Sequence, residues 1–286
     1  MKNLKEKFLD NIPFFVSVPA ILWQLLFLCL PILFIFYMAF STGFFSFTFE
    51  YFRGILDWVH LRIIVRSLLV AMLNATLCLL VAYPVAYFLA LKVKKMKNFL
   101  LFLLTLPAWV NFLIQVYSWF FVLERNGIIN KFLLSTGIIS DPLHMINNQF
   151  AISLVMFHIY LPFMIVPLYN ILEKFDPQLI DASLDLGANR IVTFFRITFP
   201  LSLSGVYLGF FLVFVMTFGE VVIPMFLGGN KTLFVGTLIS EYFFGARNMH
   251  TGAAFTLLSS MFMGATLLLL YILLKNKIKT SLSLKG

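Results

Sequence analysis

The sequence predicts an all-α integral membrane protein with six transmembrane helices. Two observations carry that class. The 286-residue chain is 61% hydrophobic and only 12% charged, with 36 phenylalanines, which leaves too few polar side chains to cover a soluble domain. Its apolar residues also fall in runs long enough to cross a bilayer, whose hydrocarbon core of about 30 Å takes roughly 20 residues of helix. The short alternating strands of a membrane β-barrel are not part of this pattern.

The first run, Phe14–Phe40, is too long for the apolar region of a secretory signal and has no convincing small-residue cleavage site after it, so it reads as a retained span. Ser67–Leu91 and Asn98–Leu123 follow, and the short connection 92–97 makes them antiparallel neighbours. Phe150–Leu172, Leu201–Leu227 and Asn248–Leu274 complete the set. Proline enters five of the six runs: Pro19 and Pro31, Pro84, Pro107, Pro162 and Pro167, and Pro224. Each frees a backbone carbonyl that neighbours or water must satisfy. Kinked helices suit a transporter, although membrane proteins tolerate proline generally. The connections 41–62 and 124–147 carry Glu50, Asp57, Glu124 and Asp141, with a turn signal at Asp141-Pro142, and have room for short interfacial helices.

Lysine and arginine set the orientation. Fourteen of the 21 lie at the N-terminus, after the second span, after the fourth and in the tail, which predicts that both termini are cytoplasmic. The net charge of +9 is therefore a topology signal; nucleic-acid binding would need a basic face on a soluble domain. Cys29 and Cys78 both lie inside spans, so no disulfide framework is implied and both read as packing residues. His60, His144, His158 and His250 are scattered, without metal-ligand spacing. No catalytic constellation, metal site or cofactor is expected. "GGNKT" at 228–232 lacks the spacing and ending of a phosphate-binding loop and sits on the predicted outer face, so the chain is not expected to bind ATP by itself.

One segment breaks the apolar pattern, "EKFDPQLIDASLDLGANRIVTFFRITFP" at 173–200. Asp176 before Pro177 predicts a helix start, and Gly187 predicts its stop. Leu179, Ile180, Ser183 and Leu184 gather toward one face, with Asp181 and Asp185 together on another. A second helix is expected over Asn189–Phe199, with Pro200 turning the chain into the fifth span. Two readings stand for the acidic helix: it lies on the bilayer, or it docks on a protein. Helices on the anionic cytoplasmic leaflet favour Lys and Arg, so the paired aspartates favour a protein partner with basic groups.

The same stretch resembles the EAA loop of bacterial ABC-importer permeases, whose pattern is Glu-Ala-Ala, three residues, Gly, nine residues, Ile-x-Leu-Pro. Here it reads Asp181-Ala182-Ser183, Gly187, then Ile197-Thr198-Phe199-Pro200, with both spacings kept and Asp181, Ser183 and Phe199 as departures. Longer stretches, among them "SLLVAMLNATLCLLVAYPVAYFLA", "LPAWVNFLIQVYSW", "YLPFMIVPLYNILEKFD" and "GEVVIPMFLGG", resemble spermidine/putrescine (polyamine) importer permeases. Within the binding-protein-dependent transport system inner membrane component family, they look most like the PotB/PotH-like member of each permease pair.

The resemblance implies the ABC importer type I permease fold in the bacterial cytoplasmic membrane, without catalysis in this chain. The implied partners are two copies of an ATP-binding subunit, a second related permease and an extracytoplasmic polyamine-binding protein. It also implies that Asp181 is an electrostatic contact to the ATPase, that Ala182 and Ser183 are small for close packing, and that Gly187 is the hinge turn; Asp185, Ile197 and Pro200 belong to the same coupling loop. The expected organisation is an N-terminal segment over residues 1–62, a permease core 63–274 with the coupling loop at 173–200, and a basic tail 275–286.

Within the six spans Glu220 is the only Asp, Glu, Lys or Arg. Such a residue usually faces a cavity or a partner, and its sign suits a polycation. At ~1.5 Å per residue it lies ~29 Å from Leu201, which also leaves an interfacial structural role open. Trp109, Tyr117 and Trp119 offer aromatic faces for cation–π contact with amines, or serve as interfacial anchors. The same importer architecture would also fit ferric iron, an oxyanion or an amino acid. A secondary transporter or intramembrane enzyme would need buried ion-coupling residues, a nucleophile or a metal cluster, and the sequence offers none of these.

Overall fold

The structure is a computed structural model and describes residues 2–43, 46–229 and 232–283. Asn230 and Lys231 of the "GGNKT" stretch, and Lys285 of the tail, lie outside the described residues. The chain divides into two compact units, one of Met1–Asp57 with Glu241–Ser260, the other of Trp58–Ser240 with Met261–Gly286.

In the first unit, helix α1 (Lys2–Phe40) contains the first apolar run, and Leu22, Trp23, Leu25 and Leu26 are exposed along it, as a span in hydrocarbon requires. A small antiparallel hairpin follows, β1 (Ser41–Gly43) with β2 (Ser46–Phe47), and then the short helix α2 (Glu50–Ile55). The sequence pattern gives no sign of the hairpin. Phe40 packs on Phe49 and Phe52 at ring separations of 5.4 and 4.9 Å. His250 stacks on Tyr51 at 5.1 Å, and its Nδ1 lies 2.9 Å from the Met38 carbonyl.

The second unit is built around α3 (Trp58–Leu91), a later helix α7 (Gln149–Leu172) and α10 (Phe199–Phe218), which pack against one another. Ala71, Ala75, Cys78, Ala82 and Ala86 form a fully buried small-residue stripe along α3, at the three- and four-residue spacing of one helical face. Small residues let helix backbones approach closely in a membrane, where apolar side chains gain little by leaving lipid. On α10, a Cβ at Gly205 would stand 3.0 Å from the Pro167 carbonyl oxygen of α7, and one at Gly209 would stand 2.7 Å from Met164 Sδ. Polar side chains add ties within this core: the Tyr83 and Ser202 hydroxyls lie 2.8 Å apart, and Cys78 Sγ lies 3.7 Å from the Phe157 carbonyl.

The other elements of this unit are short: α4 (Lys97–Thr105), a 3-10 turn (Leu106–Trp109), α5 (Phe112–Leu123), α6 (Ile128–Ser135), α8 (Gln178–Asp185), α9 (Arg190–Thr193), a π-turn (Phe194–Thr198), α11 (Val222–Leu227) and α12 (Val235–Ser240). A second π-turn (Glu241–Gly245) in the first unit precedes α13 (Met249–Ser283), which continues into the second unit. The connection 124–147 thus holds one of the expected short helices, α6. Among the described residues five helices are long and apolar enough to cross a membrane, or six if the bent pair Lys97–Trp109 and Phe112–Ser135 counts as one span.

Four features differ from the sequence reading. The third run is not one straight helix: its two halves meet at 86°. Pro107 removes a donor, and Asn111 starts a new helix by accepting the N–H groups of Leu113 and Ile114 at 3.0 and 3.4 Å. Gln115 Nε2 then donates to the carbonyls of Pro107 and Val110, at 2.6 and 2.9 Å, which holds the elbow closed. The fifth run stops at Phe218, and its last residues form the separate helix α11. Pro200 does not turn the chain. Helix runs on from Arg190 to Phe218 because the π-turn lets the Phe199 N–H reach back to the Phe194 carbonyl just before the proline. The second span also starts earlier than its apolar run, at Trp58.

Candidate functional site

The candidate coupling segment, 173–200, is a helix, a glycine turn and a second helix. Asp176 Oδ1 accepts the Gln178 N–H at 3.0 Å, so the side chain expected to start α8 does so. Its end is a Schellman motif: the Gly187 N–H reaches the Leu184 carbonyl at 2.9 Å and the Ala188 N–H reaches Ser183 at 3.1 Å. Gly187 adopts φ +84°, the left-handed conformation that glycine enters without steric cost. Asn189 opens α9 by accepting the Val192 N–H at 2.8 Å.

Asp181, Ala182 and Asp185 all lie on the exposed surface of α8. Ser183 is turned inward: its hydroxyl lies 3.0 Å from Thr193 Oγ1, which itself donates to the Asn189 carbonyl at 3.1 Å. Its small size therefore serves the contact between α8 and α9. Ile197 in the π-turn and Pro200 at the start of α10 are half-buried. The sequence reading missed the apolar portion of this surface. Leu186, next in the chain to Asp185, is 89% exposed, and Ile191 and Phe195 in the following helix are 69% and 63% exposed. The four-residue spacing of Ile191 and Phe195 puts them on one helical face, which is the signal that would have found that pair.

Contacts at both ends of the loop lead into the spans. Lys97 Nζ donates to Glu173 Oε1 at 2.6 Å, and the Tyr169 hydroxyl donates to the same oxygen at 2.9 Å. The Lys97 ammonium, followed by the Tyr169 hydroxyl, holds the Glu173 carboxyl below the usual carboxylate range. At the far end, Phe194 and Phe199 pack on the Tyr83 ring at 5.4 and 5.8 Å.

The candidate pathway residues do not form one cluster. Trp109, 78% exposed, ends the 3-10 turn and lines a cleft of about 350 Å³ with Pro162, Phe163, Pro167 and Leu212. Tyr117 sets its ring edge against Phe226 of α11 at 4.7 Å, and Trp119 meets His158 of α7 at 5.1 Å. Glu220 is buried in the break between α10 and α11. Its carboxylate is turned onto the protein's own donors, the N–H groups of Val221, Val222 and Ile223 and the hydroxyl of Tyr160. Of the two roles the sequence left open for Glu220, these hydrogen bonds describe the structural one, a cap on the start of α11. Sequence reasoning misses Tyr160 because its partner lies 60 residues away.

Residues 82–280 match the family described as binding-protein-dependent transport system inner membrane component. The chain belongs to that family. It is 36% identical over 252 residues to the spermidine/putrescine transport system permease protein PotB of Escherichia coli (strain K12), covering 86% of this chain and 92% of that one. The PotB of Salmonella typhimurium (strain SL1344) is 35% identical over 260 residues, 89% and 91% of the two chains. Among solved structures, the bacterial alginate ABC transporter in complex with an alginate pentasaccharide-bound periplasmic protein superposes with a TM-score of 0.73 at 17% identity, covering 94% of each chain. The fold is that of an ABC-importer permease, and this family member is a multi-pass protein of the bacterial inner membrane.

Proposed function

We propose that the chain is the membrane-spanning permease subunit of an ATP-driven importer of polyamines such as spermidine and putrescine. The observation that carries the solute is the 36% identity to PotB over 92% of that relative's length. In this reading ATP hydrolysis takes place in a separate subunit, present as a pair. A second, related permease completes the pathway, and an extracytoplasmic binding protein delivers the solute. The N- and C-termini face the cytoplasm, and the permease core spans 63–274, preceded by the first span and followed by the basic tail.

The geometry supports a mechanical role for the coupling loop. Asp181 and Asp185 present negative charge on α8, and Leu186, Ile191 and Phe195 of the same segment are exposed, a combination suited to a protein groove with a basic rim. Displacement of α8 passes through the Ser183–Thr193 contact to α9, and from there along continuous helix into α10. Trp109, Tyr117 and Trp119 supply aromatic faces that suit alkylammonium groups.

The test is uptake of labelled spermidine and putrescine by cells lacking their own importer, expressing this chain with its neighbouring operon genes. Uptake is expected in the parent, and Asp181→Lys is expected to abolish it and release the ATPase from the complex. An assembled, ATP-hydrolysing complex that moves no polyamine would discard the solute. Transport by this chain without an ATP-binding partner would discard the importer.

A further inference from the structure

The break between α10 and α11 buries a carboxylate in an apolar chain, and its hydrogen bonds explain why the break is there. Pro224 has no N–H, so the Glu220 carbonyl four residues earlier would lose its intrahelical partner if the helix ran on. The chain opens at Gly219 and Glu220 instead, and the Glu220 side chain turns forward over the start of α11. Oε1 accepts the N–H groups of Val221, Val222 and Ile223 at 3.1, 2.9 and 3.2 Å. Oε2 accepts the hydroxyl of Tyr160, which stands on α7. Gly236 of α12 closes over the opened backbone, where a Cβ would lie 2.6 Å from the carbonyl oxygens of both Gly219 and Glu220. At the other end of α11, Phe226 meets Tyr117 of α5. One carboxylate thus ties α7 to α11, and α11 carries that placement to α5.

We infer that Glu220 is a positioning residue for transport, which sets α11 between α7 and α5 and whose charge answers the protein's own donors rather than a passing cation. The inference rests on the polyamine-import reading. Glu220 is 9% exposed. A polyamine nitrogen would have to reach a largely buried Oε2 that the Tyr160 hydroxyl already engages, and the three N–H groups occupy Oε1. Irregular backbone at membrane depth persists only where protein or a cavity satisfies it, and here Glu220 supplies most of that satisfaction.

Two substitutions separate positioning from cation recognition because the two roles predict opposite results. Glu220→Gln removes the charge but keeps an acceptor for the three N–H groups and a donor toward the Tyr160 oxygen. Tyr160→Phe keeps the charge and frees Oε2. In the assembled complex, spermidine uptake would be measured together with hydrogen exchange at the Val221–Ile223 amides, with Glu220→Ala as the loss control. Glu220→Ala is expected to lower maximal uptake by about tenfold or more with loss of amide protection, Glu220→Gln to restore both to within about threefold of the parent, and Tyr160→Phe to lower both.

Uptake that falls in Glu220→Gln while the amides stay protected would assign the charge to the solute and overturn the inference. Parent-level uptake and protection in both Glu220→Gln and Tyr160→Phe would overturn it as well. If the parent complex moves no polyamine, the solute reading fails separately. The exchange pattern then decides positioning alone: reduced protection in Tyr160→Phe supports it, and unchanged protection overturns it.

Discussion

At the scale of single residues, the turn between α8 and α9 depends on one backbone conformation. Gly187 sits at φ +84° with no atom within 4 Å of where a Cβ would be. Substitution there meets open space, and its whole cost is backbone strain, roughly 1–2 kcal/mol for an ordinary L-residue. Gly187→Ala is therefore expected to lower the thermal stability of the purified complex modestly and to weaken the coupling of ATP hydrolysis to uptake. Gly187→Asn, which tolerates the left-handed region better, is expected to recover much of both. Equal loss in the two variants would show that bulk at this position, rather than φ, is what the loop rejects. Ser183 carries a related lesson. Its hydroxyl faces Thr193, so smallness here keeps the loop compact, whereas Ala182 beside it faces outward.

At the scale of elements, the ends of the coupling segment are joined to helices that precede it by many residues. The Lys97–Glu173 pair connects the start of α4 with the end of α7, and both side chains are about one-third exposed, at 35% and 34%. Such a pair contributes about 1 kcal/mol or less. Because Glu173 is held below its ordinary value, the contribution is complete above the unfolded glutamate value of about 4.3 and is lost as pH falls through the lower folded value. Comparison of parent and Glu173→Gln by thermal unfolding in nanodiscs is expected to show a small deficit in the variant, constant from neutral pH down to about pH 5 and vanishing only at lower pH. A deficit that grew on acidification would contradict this sign. The two breaks in the spans follow a common rule. Pro107 and Pro224 each remove a donor, and a nearby polar side chain, Gln115 or Glu220, restores the hydrogen bonding of the opened backbone.

At the scale of the whole molecule, the lysine and arginine distribution makes a directional prediction. Leu186, 89% exposed in the coupling loop, belongs on the cytoplasmic side, and Ile138, 68% exposed after α6, on the opposite side. With Cys29 and Cys78 replaced by alanine, Ile138→Cys is expected to react with an impermeant maleimide in intact spheroplasts, and Leu186→Cys only after permeabilisation. The reverse pattern would invert the topology and remove the coupling loop from reach of any cytoplasmic ATPase.

Much of the architecture is legible in the chain because membrane spans are specified by contiguous composition. The fourth apolar run, Phe150–Leu172, is α7 to within one residue, Gln149–Leu172. Asp176 and Gly187 announce the limits of α8, since capping and left-handed turns are local chemistry within a few residues. Pro107 and Pro224 mark where helices are at risk. Whether a proline bends, breaks or merely widens its helix is decided by partners: Gln115 and Asn111 sharpen the first elbow, Tyr160 joins Glu220 at the second, and a π-turn carries Pro200 through without a stop. By itself the sequence determined the membrane class, the order of the apolar runs and the polar helix–turn–helix between the fourth and fifth, all set by short-range pattern. Tertiary structure alone decided that Ser183 faces inward, that the third apolar run folds at an elbow and that Glu220 holds backbone, because each rests on a neighbour brought there by packing.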